Sequence, residues 1–238
     1  MLKLKNKLLI LSLGIFCLPF LTAAMTTDDA EISKFDTPRG ALKKPVIDSR
    51  MTEKEAFDGL DPNCPPEIRS RQRVVAVKYY STDGKIHQGQ IIVDKDLVSD
   101  VKTFFKEALR EKFPIHSVIP VSAPQFRKNN RWDDDLSMAA DNSSGFNYRE
   151  KTGGGSLSNH AYGRAIDINT FDNPYVKGTL ILPAGANYNP NGSGVFTTEN
   201  PLVVLMKKLG WDWGGDWTNL KDYQHFEKPL KKEQAHQQ

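Results

Sequence analysis

Ser158-Asn159-His160-Ala161-Tyr162-Gly163-Arg164-Ala165-Ile166-Asp167-Ile168-Asn169 is the stretch whose reading decides the fold. It sets a histidine and a carboxylate a fixed distance apart, with a glycine between them where the chain can turn sharply. The second half alternates. Read as a strand, it turns Ile166 and Ile168 toward a core and Ala165, Asp167 and Asn169 toward the opposite side. Asp167 then projects from a rigid strand into a cleft, and a loop delivers His160 against it. An imidazole and a carboxylate make two thirds of a zinc site, because catalytic zinc takes three nitrogen or oxygen ligands and keeps a fourth position open. The third ligand is available in Asp222-Tyr223-Gln224-His225-Phe226-Glu227, where His225 sits three residues after a second carboxylate.

Around this stretch the chain has an ordinary globular composition. Its 238 residues, 39% hydrophobic and 26% charged, suffice for one domain with a sizeable core plus extra segments. The 32 basic residues are interspersed with 29 acidic ones, so no basic run marks a nucleic-acid partner. Lys3, Lys5 and Lys7 precede an apolar run over 8–21 and then Thr22-Ala23-Ala24. That is the pattern of a cleaved secretory signal at 1–24. A run of about 14 residues is shorter than the roughly 20 that cross a bilayer, so no membrane anchor is expected after cleavage. Cys17 lies in a poor lipidation context, after Gly14-Ile15-Phe16. The expected location is periplasmic or secreted, and the expected state a monomer. Cys64 then remains as a lone thiol in Asp-Pro-Asn-Cys-Pro-Pro, read as a bystander in a linker.

Residues 25–70 show little periodicity and much Asp, Glu, Lys and Pro, and predict an extended or loosely packed lead-in that wraps the domain at 71–230. Val74, Val75, Val77, Tyr79 and Tyr80, the turn Ser81-Thr82-Asp83-Gly84, and a second run over 86–93 predict a hairpin. Asp94 or Asp96 then caps a helix with apolar positions Leu97, Val101, Phe104, Phe105, Ala108 and Leu109, stopped by Pro114. A short strand over 115–121 follows. Asp133-Asp134-Asp135 lacks calcium-loop spacing and reads as a solvated helix start, with a substrate-facing role as the alternative. Gly153-Gly154-Gly155 gives a flexible approach to His160. Residues 183–194 read as a loop over or beside the cleft. Thr198 or Asn200, with Pro201, starts a second helix that Gly210 ends. The tail 231–238 is polar, expected to fray, and removes His236 from consideration.

Ser-x-His-x-x-Gly-x-Ala-x-Asp from Ser158, Trp-Gly-Gly-x-Trp from Trp213 and Asp-x-x-His-Phe-Glu from Asp222 occur in that order. With residues 137–149 ahead of them, the chain over about 73–229 resembles the VanY-like zinc D-alanyl-D-alanine carboxypeptidases and their relatives, the peptidoglycan L-alanyl-D-glutamate endopeptidases. The resemblance implies an exported zinc peptidase acting on peptidoglycan stem peptides. It also implies an α+β domain with a small, mostly antiparallel sheet flanked by helices and a zinc cleft, as in hedgehog/D-Ala-D-Ala peptidase-like folds. Zn2+ is expected on His160, Asp167 and His225. Asp222, read as lying on the same side of a helical turn as His225, is the expected general acid and base. The family carries Glu or Asp at that position. The resemblance places a substrate-binding arginine at Arg149, where a guanidinium can hold a developing oxyanion. Ser158 and Tyr162 are expected to hydrogen-bond the substrate or to orient His160, Trp213 to wall the cleft, and Glu227 to hold a histidine ring nitrogen, while Trp211, Trp213 and Trp217 can equally be core and at least one of them is expected to be purely structural. His87 and His116 are read as structural. Carboxypeptidase and endopeptidase modes both stay open. The alternative is a non-catalytic zinc-containing cell-wall-binding module, which retention of the ligands, Asp222 and Arg149 argues against; a toxin or lysis protein would differ in partner rather than in chemistry.

Overall fold

The computed structural model describes residues 44–230. The expected signal at 1–24 with Cys17, the first part of the lead-in, and the tail with His236 lie outside the described residues. No helix among the described residues is long and apolar enough to cross a membrane.

A hairpin is the base of the fold. Strands β2 (Gln72–Tyr80) and β3 (Ile86–Asp94), which follow β1 (Val46–Ile47) in the chain, pair antiparallel from Gln72 opposite Asp94 to Tyr80 opposite Ile86. Gly84 takes a positive φ of 80° in the turn between them, which a side chain would oppose. Val75, Val77 and Tyr79 alternate inward with Ile91 and Val93. The consecutive apolar residues Ile91-Ile92-Val93 mark a strand end buried on both faces, and the structure covers both. On one face lies the long helix, preceded by a turn over Lys95–Leu97 that the Asp94 side chain caps by accepting from the Asp96 amide. Its buried positions Val101, Phe104, Phe105, Ala108 and Leu109 follow the predicted spacing.

On the other face, Ile92 packs with Ala56 and Phe146, joined by Met51, Phe57, Leu60, Cys64 and Ile68. The stretch read as a loose lead-in is therefore built into the fold from residue 46 onward. Strand β1 pairs in parallel with β3, and helices α1 (Glu53–Ala56) and α2 (Pro66–Arg69) follow it. Its apolar residues are irregularly spaced, so no periodicity announces them; each packs individually against the back of the hairpin. The long helix is α3 (Val98–Arg110).

Beyond α3 the chain forms several short ladders rather than the one small sheet expected. The elements are β4 (Ser117–Val118), β5 (Arg127–Lys128), β6 (Arg131–Trp132), α4 (Asp134–Ala139), β7 (Asn142–Ser143), β8 (Ala165–Asp167), β9 (Tyr175–Lys177), β10 (Leu180–Leu182), α5 (Pro201–Lys208), β11 (Asp212–Trp213), β12 (Lys221–Asp222) and β13 (His225–Glu227). The pairings β1 with β3 and β4 with β7 are parallel, and the rest are antiparallel. Strands of two or three residues end where Asn, Gly or Pro breaks the extended backbone, as Asn169 does with a φ of 50°. Helix α5 starts as predicted, with Asn200 accepting from the Leu202 amide and Pro201 in the first turn.

Two of these ladders position the site. One has the order β11-β13-β8, the other β10-β9-β12. In the first, Phe226 lies opposite both Ile166 and Trp213, and this row faces the core formed by α3 and α5. Phe226 meets Phe104 with ring centroids 6.0 Å apart and Phe196 edge-on at 5.1 Å. Phe104 is fully buried. Phe104→Ala is expected to destabilise the protein by about 3–5 kcal/mol, read as a lowered denaturant midpoint with the slope unchanged.

Candidate active site

The neighbouring row of the same sheet carries the chemistry. His225 on β13 is directly opposite Asp167 on β8, so both side chains leave the sheet on one face. His160 reaches them from a turn over Asn159–Tyr162. Ser158 caps that turn, its hydroxyl accepting from the His160 amide at 3.2 Å, and Gly163 closes it with a φ of 66°. No residue with a Cβ fits there, since the added atom would run into the Gln72 side chain and the Asp94 backbone.

The outer nitrogen of each ring is held by an acceptor. His160 Nδ1 lies 2.7 Å from the Gly145 carbonyl, and His225 Nε2 lies 3.0 Å from Glu227, which also accepts from Asn159 at 2.7 Å. Carbonyl and carboxylate cannot donate, so each outer nitrogen carries the proton and each inner nitrogen presents a lone pair when its ring is neutral. The inner atoms, His160 Nε2 and His225 Nδ1, lie 3.2 Å apart and face Asp167 oxygens at 3.1 and 2.9 Å. Acceptors thus converge with no donor among them, in a buried cluster able to hold a metal ion. Only a cation or an added proton satisfies them, and two imidazole nitrogens with a carboxylate are a donor set that a divalent transition metal accepts. The electrostatics agree. Burial pulls the His225 pKa down, but the hydrogen bonds to Asp167 and Glu227 overcome it and push it up to about 10. Burial likewise works against the Asp167 charge, and the two histidines reverse it, holding the carboxyl below its ordinary range.

Asp222 comes from the other ladder. It lies opposite Tyr175, which lies opposite Leu182, and this cross-strand row forms one wall of a cleft whose floor includes Asp167, Ser144 and Gln224. Asp222 and His225 are therefore joined by a strand, a two-residue turn and a strand, not by the helical turn read from their spacing. The reason is long-range: β12 pairs with β9 while β13 pairs with β8 and β11. Asp222 Oδ1 is buried without a hydrogen-bond partner. Burial raises its pKa to about 7; His225 opposes the rise and the Asp167 charge adds to it.

The opposite side of the cleft comes from α4, through Asp134, Ser137 and Met138, and from Arg149. Arg149 Nη2 pairs with Asp134 at 2.8 Å, Nη1 donates to the Glu150 carbonyl at 3.1 Å, and Nε is buried without a partner. Asp133 caps α4 as a helix-start aspartate does, whereas Asp134, read as part of a solvated triplet, lies in the cleft against the arginine.

Of the three residues expected at or near the substrate, Trp213 and Tyr162 lie away from the cleft and Ser158 orients His160. Trp213 is 2% exposed, stands beside Phe226 on the core face, and donates Nε1–H to the Tyr223 carbonyl at 2.8 Å. The register of β11 decides this, and Trp217 is the tryptophan that packs on His225, with ring centroids 5.5 Å apart. Ser158 spends its hydroxyl on capping and does not line the cleft. Tyr162 does not line it either; its carbonyl accepts from Gln72 at 3.2 Å. The paired glycines of the tryptophan motif admit Asp222 rather than a ligand, since a Cβ on Gly214 would lie 2.5 Å from the Asp222 carbonyl oxygen. His87 binds Asp48 and Asp83 far from the cluster in sequence, and His116 stands near Asp141. Sequence reasoning missed Asp134, Asn159 and Gly145; Asn159, adjacent to His160, carried the one local signal.

Comparison with known proteins bears on the same region. A family described as D-alanyl-D-alanine carboxypeptidase matches residues 152–228, which contain His160, Asp167, Asp222 and His225 but begin after Arg149. The peptidoglycan L-alanyl-D-glutamate endopeptidase CwlK of Bacillus subtilis (strain 168) is 38% identical over 73 residues, covering 31% of this chain. The chain spans only 40% of that relative's length. No solved structure matches. Over residues 152–228 the chain is thus similar to the D-alanyl-D-alanine carboxypeptidase family and to an L-alanyl-D-glutamate endopeptidase, which supports the VanY-like resemblance.

Proposed function

We propose that the protein is a zinc metallopeptidase that hydrolyses peptide bonds inside the peptidoglycan stem. The observation that carries this reading is the meeting, in one cleft, of a donor-free acceptor cluster, the unpartnered Asp222 oxygen and the Arg149 guanidinium. The matched family and the Bacillus relative support the substrate class. The site's seat on a three-stranded antiparallel ladder is consistent with a hedgehog/D-Ala-D-Ala peptidase-like fold.

His160 Nε2, Asp167 and His225 Nδ1 would hold the ion. When bound, zinc supplies Lewis acidity to a water and to the scissile carbonyl. Asp222, its free oxygen turned to no protein donor, takes the proton of the attacking water and returns it to the leaving amine. Arg149 directs guanidinium donors at the carbonyl oxygen as charge develops there. Gly145 and Glu227 keep the two ring protons on the outer nitrogens, so the inner ones stay available.

The likeness to an L-alanyl-D-glutamate endopeptidase supports cleavage within the stem over removal of its terminal residue. Any free carboxylate of the substrate, on a terminal residue or on D-glutamate, requires a cation. Arg149 is the one Lys or Arg among the residues lining the cleft, Asp134 already pairs with it, and Asp167 and Asp222 add further negative charge. The sequence pattern at 1–24 supports a periplasmic or secreted location for this activity.

The test is mass spectrometry of stem peptides incubated with the protein, with chelator and with zinc added back. Chelator-sensitive fragments split between L-alanine and D-glutamate are expected. Loss of terminal D-alanine alone would overturn the internal-cleavage reading, and no cleavage by zinc-loaded protein would overturn the peptidase itself.

A second outcome follows from the Asp222 oxygen. Its folded-state pKa of about 7 lies above the ordinary carboxylate value near 4, so the charged form is penalised by folding. Metal-free stability is full below the ordinary value and is lost as pH rises through about 7. Asp222→Asn is expected to stabilise the metal-free protein at pH 8 by about 1–3 kcal/mol, with no gain at pH 4, in denaturant titrations. The same variant is expected to lose about 100-fold or more in kcat.

A further inference from the structure

We propose that Asp134 is a positioning residue that holds the Arg149 guanidinium on the cleft side, and that its effect on the reaction runs through that arginine. This rests on the peptidase reading above, in which Arg149 meets the developing oxyanion.

Asp134 is the first residue of α4, seated there by Asp133, whose side chain accepts from the Leu136 amide at 3.0 Å. Its two oxygens serve different partners. Oδ2 meets Arg149 Nη2 at 2.8 Å, and Oδ1 accepts from Asn147 Nδ2 at 3.0 Å. Asn147 in turn donates its backbone N–H to the His160 carbonyl at 3.1 Å. A single carboxylate therefore ties the arginine to the backbone of a metal-ligand residue.

Little else restrains the guanidinium. Nη1 has a neighbouring carbonyl and Nε has no partner. The side chain also stands between two cavities, because Asp134 and Arg149 line both the cleft and a second hollow beside it, bordered by Leu60, Asp61, Arg131 and Tyr148. Asp61, paired with Arg131 at 2.9 Å, is a carboxylate on the far side of that choice. A long flexible side chain with acceptors on either hand needs a directing contact, and Asp134 supplies it on the cleft side. The Arg149–Asp134 pair is about a quarter exposed on each side, so its consequence is placement rather than stability.

The test uses zinc-loaded full-length protein with Asp134→Asn, Asp134→Glu, Asp135→Asn, Arg149→Ala and the Asp134→Asn/Arg149→Ala pair. Expected is a fall in kcat of roughly 10- to 100-fold for Asp134→Asn with KM little changed, since misplacing an oxyanion donor costs the transition state. Asp134→Glu recovers most of it, and Asp135→Asn, which removes the same charge from the exposed neighbour, leaves kcat unchanged. In the Arg149→Ala background Asp134→Asn costs nothing further, because the two act as one unit. The second readout needs no turnover. The Arg149 side-chain N–H resonance, identified by its absence in Arg149→Ala, is expected to be sharp in the parent and broadened or shifted in Asp134→Asn, with melting temperature unchanged. Full kcat in Asp134→Asn, an equal loss with and without Arg149, or an unaltered Arg149 resonance each overturns the inference. A parent that cuts no stem peptide while its Arg149 resonance still depends on Asp134 overturns the peptidase reading and leaves the positioning intact.

Discussion

Acceptor atoms from His160, Asp167 and His225 meet in the interior of this protein with no donor among them, and much of the local architecture exists to keep them so. The Gly145 carbonyl and Glu227 take the outer ring protons, the register of β8 against β13 puts Asp167 opposite His225, and the Ser158 cap with Gly163 turns His160 inward. Buried like-signed lone pairs are costly until a cation or a proton satisfies them. Hydrogen bonds to Asp167 and Glu227 favour the protonated ring of His225 against its burial and push its pKa up to about 10. A metal ion held there would take the place of that proton, and its affinity would then be linked to folding.

The site inherits its rigidity from the core because the two are opposite faces of the same strands. Along β13, His225 points to the cluster and Phe226 into the packing of Phe104, Phe196 and Trp213. A close-packed core leaves little freedom to the residue between two such neighbours. Asp222 belongs to a second ladder, and its distance from the ligands depends on the turn that joins the two. That turn is anchored several times over. Trp213 donates to the Tyr223 carbonyl at 2.8 Å, the Ile168 amide donates to the Gln224 carbonyl at 3.1 Å, and Tyr188 stacks on the Tyr223 ring at 3.6 Å. Gly214 completes the junction by letting the Asp222 backbone pass where a methyl group would collide.

What was legible in the chain is what local physics decides. The hairpin, the spacing of Val101, Phe104, Phe105 and Ala108 on α3 and the Asn200-Pro201 start of α5 follow from period and cap chemistry, whereas the grouping of His160, Asp167 and His225 was read from ligand type together with the family resemblance. What was not legible depends on partners far along the chain. A spacing of three between Asp222 and His225 fits a helical turn as well as a strand, turn and strand, and pairing with β9 and β8 decides between them. The same holds for Trp213, whose side of the sheet is set by Phe226, and for residues 46–69, whose apolar side chains gain order only from the back of the hairpin.

The exchange of roles between Trp213 and Asp134 has a common cause. Residue type suggested that a tryptophan, a serine and a tyrosine would touch substrate, and that an aspartate in an acidic triplet would face water. In the folded chain Trp213 has given its one N–H to the Tyr223 carbonyl, and Ser158 accepts from the His160 amide away from the cleft lining. Unmet capacity is the better guide, because a buried polar atom without a partner costs about 1–3 kcal/mol and persists only where something else compensates. It is not sufficient alone: Gln72 Oε1 and Ser122 Oγ are also unpartnered, and neither residue lines the cleft. Asp222 and Arg149 meet both conditions, each bringing one unsatisfied atom to the cavity whose floor includes Asp167. Asp134 enters through them, since a guanidinium with a free Nε and a choice of two cavities acquires a direction only from the carboxylate that holds its other end.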